Sequence, residues 1–335
     1  MSPAPVLLAG GSGMVGRRTA QYLRAASPDV PLLIGGRDLA KAKEVAAVIG
    51  NAEGVALDLT ADDLGLGGRE VGAVAVFVKD DAISSLRFAQ ARGVPHVGIS
   101  SGASEIAPEV AAYVQSPGAS AVVLGAEWLV GAVTVPALEF VKDFRHVHDI
   151  TIGALLDEQD TGGPAAAIDM RRLGEILPAA LTRRDGAFFW RLGEDAEARF
   201  RAIDGTEMEA VAFSPFDVMG LAAATSAPNV QFNLATGVSS TRRRGEPMST
   251  EIIIELAGED HAGQPLRTRH AILHPEGQMP LTALGVAMVL ERLIGLDGEP
   301  ATPPGLYFPY QLLESRAYFE RLDRIGGKVM TLDAR

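Results

Sequence analysis

Gly11-x-Gly13-x-x-Gly16, with Gly10 just ahead of it, is spaced so that bare main-chain amides can hold a diphosphate. The first glycine of such a set makes a tight turn. The second lets the backbone approach a pyrophosphate, and the third lets a helix pack on a strand. Gly10-x-x-Gly13-x-x-Gly16 overlaps it, a variant common among reductases that bind NADP. The residues expected to line the coenzyme here are Gly10, Gly11, Ser12, Gly13, Met14, Val15 and Gly16. In a chain with 37 glycines the spacing alone says little, so its context decides. Val6-Leu7-Leu8-Ala9 precedes it, an apolar run suited to a strand covered on both faces. Val15, Thr19, Tyr22, Leu23 and Ala26 follow at helical spacing. A helix starting there would turn its unpaired N–H groups toward the diphosphate.

The second chemical signal lies 20 positions after Gly16. NAD enzymes place a carboxylate there for the ribose 2′-OH; this chain has Gly36 and then Arg37. No acid opposes a 2′-phosphate, and a guanidinium offers it paired donors. That points to NADP. Asp38 is better placed as the cap of the next helix than as a ribose ligand. Asp58 is a candidate contact for the adenine amino group or a turn residue. Leu59, Val78 and Ser100 complete the expected coenzyme set.

Hydride transfer also needs a group that handles a proton. Lys79 follows the apolar run Ala-Val-Ala-Val-Phe-Val and emerges at the rim of the sheet, where it is a candidate acid or carboxylate ligand. The bland alternative is a surface lysine paired with Asp80 or Asp81. Glu127, beside Trp128, is a second candidate, and its alternative is a charge at a helix N-terminus. His270 and His274 share one face of an expected strand and are possible proton donors. His146-x-His148 has no evident third ligand, so no metal site is expected. Arg242-Arg243-Arg244 reads as a carboxylate trap or a solvated turn. Gly98-Ile99-Ser100-Ser101-Gly102 fits the Gly-x-Ser-x-Gly nucleophile elbow, which requires a helix directly after the serine.

Strands and helices alternate from Val6 to Gly125, as in a Rossmann-type doubly wound parallel sheet. The strands are read at 6–9, 31–34, 54–59, 71–78, 95–100 and 121–125, with a short helix capped by Thr60. From Phe144 the pattern changes to strand-like runs, with a helix over residues 165–177 striped by Met170, Leu173 and Leu177. The fold class is therefore α/β: an N-terminal doubly wound domain over 1–143, then an α+β domain of largely antiparallel sheet over 144–278. Residues 279–335 read as C-terminal helices packing back on the first domain, with an irregular Pro-rich stretch from Pro300 to Pro309 and an amphipathic helix from Gln311 to Leu322. A formal charge of −12 argues against a surface that tracks nucleic-acid phosphates. The absence of cysteine excludes disulfides and thiolate chemistry. No apolar run is long enough to span a bilayer, and the N-terminus has no basic start of a signal peptide, so a cytoplasmic protein is the default reading.

Val-Leu-Leu-Ala-Gly-Gly-Ser-Gly-Met-Val-Gly at 6–16, Gly-Gly-Arg-Asp-Leu-Ala-Lys-Ala at 35–42, Ala-Leu-Asp-Leu at 56–59 and Ala-Arg-Gly-Val-Pro-His-Val-Gly-Ile-Ser at 91–100 together resemble the saccharopine dehydrogenase-like NADP-binding proteins. The resemblance covers about the first 130 residues. It implies an oxidoreductase acting at a C–N bond, an imine or secondary amine of a small molecule. It also implies a second domain whose sheet serves dimerisation and substrate binding. A non-catalytic NADP-binding sensor or scaffold, and a serine hydrolase using Ser100, are the alternatives the residues leave open.

Overall fold

The computed structural model describes residues 3–103, 105–161, 168, 171–172, 175 and 179–334. The chain divides into two compact units. The first is Met1–Ala126 with Thr282–Leu313, and the second is Glu127–Leu281 with Glu314–Arg335.

The first unit is built on β1 (Val6–Ala9), β2 (Leu32–Gly36), β3 (Ala52–Ala56), β4 (Ala73–Val76), β5 (His96–Gly98) and β6 (Ala121–Leu124), with a seventh strand at Gly305–Tyr307. All pairings among them are parallel, in the order β3-β2-β1-β4-β5-β6 and then Gly305–Tyr307. Val6 sits opposite both Leu32 and Ala73, so the winding reverses between β1 and β4. Every side chain of β1 is fully buried, because helices cover both faces of a parallel sheet. Each leucine there contributes roughly 1.5–3 kcal/mol of burial. Helix α1 (Met14–Ala26) turns Gly16, Thr19, Ala20 and Leu23 inward. In α2 (Leu39–Ile49), Asp38 caps the helix through the Lys41 N–H at 3.1 Å, and Ala42, Val45, Ala46 and Ile49 form the buried face. Leu39, the first residue of that helix, is exposed. Helices α3 (Ser84–Arg92) and α4 (Ala107–Gln115) follow β4 and β5. An apolar helix runs Met279–Leu293, and Leu284, Val286, Val289 and Leu290 are among its fully buried side chains.

The second unit centres on β7 (Phe144–Asp157) in a sheet of nine strands among the described residues. Thr250–Asp260 pairs antiparallel on one side of β7, and Asn229–Gly237 pairs parallel on the other. The sheet is therefore mixed, with all its other pairings antiparallel. Leu155, Phe200, Ala235, Ile253 and Ala271 form a buried cluster on it.

Several expectations need correction. No helix follows Thr60: Asp63 instead accepts the Gly65 and Gly67 N–H groups in a run of turns, and the positive φ of Leu64, Gly65 and Gly67 forbids a helix there. The Pro-rich stretch holds the strand Gly305–Tyr307, a parallel edge strand too short for periodicity to show. The terminal helix is Ser315–Arg324, started by Glu314 rather than Gln311, and the chain then adds the strand Lys328–Leu332 against Pro265–His274. Residues 314–335 thus belong to the second unit, as do Glu127–Asp143, which the sequence assigned to the first domain. A hairpin at Ala180–Arg184 and Ala187–Arg191 turns on Asp185-Gly186, both at positive φ. The stripe Met170, Leu173 and Leu177 of the helix read over 165–177 lies outside the described residues.

Candidate functional site

The glycine loop lies where the sheet's winding reverses, the position at which open α/β sheets bind ligands. Its geometry follows from backbone hydrogen bonds. Gly10 N–H donates to Gly35 O at 2.8 Å, Gly11 N–H to Leu8 O at 2.9 Å and Gly13 N–H to Gly10 O at 2.9 Å. Gly10 has φ of 89°, which L side chains rarely adopt. A Cβ on Gly16 would stand 2.7 Å from both Gly10 O and Gly11 Cα, so only glycine lets α1 start this close to the turn. Gly13 is the N-cap of α1 and brings no side-chain acceptor. The N–H groups of Met14, Val15 and Gly16 in the first helical turn therefore lack an intrahelical partner, and Gly13 and Met14 are exposed. Those donors and the positive end of the helix dipole suit a diphosphate.

Two further groups frame the loop. The Ser12 hydroxyl would lie 3.4 Å from a Cβ built on Gly36, so the second strand ends against the loop without a side chain between them. Arg37 is exposed and has no hydrogen bond or ion pair among the described residues, while Asp38 is committed to its helix cap. Val78, 37% exposed, offers an apolar surface beside Gly10. Asp58 accepts the Thr60 N–H at 2.9 Å and the Thr60 hydroxyl at 2.6 Å, which holds its carboxyl below the usual range. It is a turn residue first, with Leu59 packed beside it against the core.

The proton-handling candidates are placed as follows. Lys79 is part-buried, and its Nζ lies 3.4 Å from Glu105 Oε1 rather than on Asp80 or Asp81. Asp80 caps α3 instead, accepting from Ser84 N–H, Ser85 N–H and the Ser85 hydroxyl. Glu127 is buried in the second unit and accepts from the Thr134 hydroxyl at 2.9 Å. Next to it Trp128 N–H donates to Asp217 Oδ2 at 2.6 Å, and burial pushes the Asp217 carboxyl well up. Leu129, Val130 and Gly131 follow at positive φ, a strained run for a β-branched residue.

The remaining candidates are structural. His270 stacks on Phe140 with ring centres 3.8 Å apart. His274 is fully buried, its Nδ1 accepting from Glu276 N–H and its Nε2 lying 3.0 Å from Ile325 O. His146 and His148 are exposed on β7, and no group of three or more potential metal ligands occurs among the described residues. Arg242 is held by Asp157 and Glu158, and Arg243 by Asp204. Ser100 follows β5, but the next helix starts only at Ala107, so the elbow geometry of a hydrolase nucleophile is not formed. Sequence reasoning passed over Asp80, Ser85, His96 and Glu109, which meet at the ends of β4 and β5.

No family model matches the chain, and no curated protein matches it in sequence. Solved structures do. The apo saccharopine dehydrogenase (L-Glu forming) of Saccharomyces cerevisiae superposes with a TM-score of 0.67 over 98% of this chain and 100% of its own, at 14% identity. The fold is that of saccharopine dehydrogenase. At that identity the likeness is one of fold, and it extends through both units, so the saccharopine dehydrogenase-like architecture includes the mixed sheet as well as the doubly wound one. A myo-inositol dehydrogenase from Corynebacterium glutamicum also aligns, with a TM-score of 0.47 at 13% identity over 99% of this chain and 100% of its own. No helix among the described residues is long and apolar enough to cross a membrane.

Proposed function

We propose that this chain is an NADP-dependent oxidoreductase that moves hydride between the coenzyme and a C–N bond, an imine or secondary amine, of a small molecule. The observation that carries the reading is the pairing of an uncapped, glycine-built helix start with a free Arg37 at the end of β2. The amides of residues 14–16 would hold the diphosphate, and Arg37 the 2′-phosphate. The coenzyme supplies or accepts hydride when bound. Lys79, at the end of the β4 segment, is the group that would hold a proton for the reacting nitrogen, with Glu105 orienting its ammonium. Val78 would exclude water from one side of the ring-binding surface. The reading includes a homodimer and no nucleic-acid or membrane partner.

The test is NADPH consumption by the purified chain with a panel of keto acids and aldehydes, each with and without amines. Turnover that needs both carbonyl and amine supports the reading. Turnover on carbonyls alone moves it to C–O chemistry. Binding without turnover favours the non-catalytic sensor, a reading to which the neutralisation of Lys79 by Glu105 lends weight.

A further inference from the structure

A small recess lies in the first unit at the C-terminal ends of β4 and β5, lined by Asp80, Ser85, His96, Ser100, Ser101 and Glu109. Its free volume is about 10 Å³, close to the room one water-sized guest needs. Its hydrogen bonding is unbalanced. The Ser85 hydroxyl donates its one proton to Asp80 Oδ2 at 2.6 Å. The contact between Ser85 Oγ and His96 Nε2, at 3.1 Å, must then be donated by the imidazole. His96 is 3% exposed, and burial pushes its pKa down to about 4, so the ring is neutral near pH 7. Its Nδ1 is left as a bare acceptor, buried and without a partner.

The Ser101 hydroxyl in turn donates to Glu109 Oε1 at 2.9 Å, spending its own proton. The recess thus gathers acceptors: the His96 lone pair, the Glu109 carboxylate and serine oxygens. It also gathers negative charge. Asp80 and Glu109 both line it, no cationic side chain does, and Lys79, whose charge reaches Glu109, is paired with Glu105. Burial is what pushes the Glu109 carboxyl up; the Ser101 hydrogen bond and the Lys79 charge pull it down, and the Asp80 charge adds to burial. A leftover buried acceptor costs about 1–3 kcal/mol unless a donor reaches it. Water would serve the hydrogen bonds but not the charge. A guest that answers both is compact, cationic and rich in N–H donors.

We propose that this recess binds a small ammonium cation, either NH4+ itself or the –NH3+ end of a primary amine. The proposal does not rest on the coenzyme, since every group named is present in the chain alone. Where both hold, the recess supplies the nitrogen partner for chemistry at a C–N bond.

The experiment is a titration of the ¹⁵N-labelled full chain, without coenzyme, with ammonium, ethylammonium, tetramethylammonium and sodium chlorides at constant ionic strength. The His96 imidazole ¹⁵N signals are the readout, assigned with His96→Gln. A saturable shift of Nδ1 with ammonium alone places the free ion there. A shift with ammonium and ethylammonium places an amine headgroup there. Sodium and tetramethylammonium, which have no N–H, are expected to leave the signal in place. Glu109→Gln keeps the shape of the side chain and is expected to weaken the response at least tenfold. No saturable shift, or the same shift with all four salts, overturns the proposal whether or not the chain binds or turns over NADPH.

Discussion

A Cβ placed on Gly10 would stand 2.8 Å from Cγ1 of Val78, so the turn after β1 and the residue two beyond β4 occupy one tight seam. Gly10 also sits at φ 89°. Gly10→Ala is therefore expected to destabilise the chain by about 1–3 kcal/mol through backbone strain and overpacking. Gly16→Ala instead drives a methyl into the backbone of Gly10 and Gly11, which cannot give way as a side chain can. It is expected to weaken NADPH binding at least tenfold with a loss of stability at least as large as that of Gly10→Ala. Denaturant midpoints and coenzyme titrations on the two variants separate these effects.

Lys79 and Glu105 give a second expectation. Lys79→Met removes the proton and the charge but keeps the length of the side chain. Its kcat is expected to fall by about a hundredfold or more, in the range set by losing a general acid, with NADPH affinity within about threefold of the parent. Glu105→Gln removes the carboxylate that orients the ammonium and is expected to lower kcat less than Lys79→Met does. If Lys79→Met leaves kcat unchanged, the lysine is a structural partner of Glu105 and no more.

How far the sequence could be read depended on how local each signal was. The β1 run, the glycine turn into α1 and the Asp38 cap each act within one or two elements, and the backbone of the first unit forms all three. The recess was hidden because its members are scattered. Asp80 and Ser85 lie around a helix start, His96 lies in a strand and Glu109 lies in another helix, so only the parallel alignment of β4 beside β5 joins them. The second unit was read as strands without an order. The parallel pairing of Asn229–Gly237 with β7 bridges a long intervening segment, and no periodicity encodes such a partner. Gly305–Tyr307, three residues among prolines, likewise takes its form from β6 and not from its own composition.

His96 makes stability depend on pH in a definite direction. Its folded pKa, about 4, lies below the ordinary value of 6.5, so between those pH values the unfolded chain binds the extra proton. The folded state therefore keeps its full advantage above about pH 6.5 and loses it as pH falls toward 4. At pH 5 the loss attributable to this group is about 2 kcal/mol. Urea midpoints at pH 7 and pH 5 should fall more steeply in the parent than in His96→Gln. Parallel slopes would mean that the imidazole is reached by water or takes its proton in the folded state.

Asp217 works in the opposite sense. Burial raises its folded pKa, so the folded chain holds that proton more tightly than the unfolded one, and this contribution is greatest in acid and lost as pH rises. Asp217→Asn keeps an oxygen to accept the Trp128 N–H and never ionises. Relative to the parent, it is expected to gain stability between about pH 4 and pH 7 and to level off above. Thermal unfolding of both proteins across that range checks it, and a gap that stays constant with pH would show that Asp217 does not titrate there.

The most direct measurement is the ratio of NADPH to NADH dissociation constants, by quenching of tryptophan fluorescence, for the parent and Arg37→Ala. The expected result is NADPH preferred at least tenfold by the parent and a preference that collapses in the variant, with NADH affinity little changed; a lost guanidinium–phosphate contact is worth about 1.5–3 kcal/mol. Equal affinities in the parent, or a preference that survives Arg37→Ala, would contradict the assignment of this arginine and the choice of coenzyme built on it. No binding of either nucleotide would contradict the glycine loop itself.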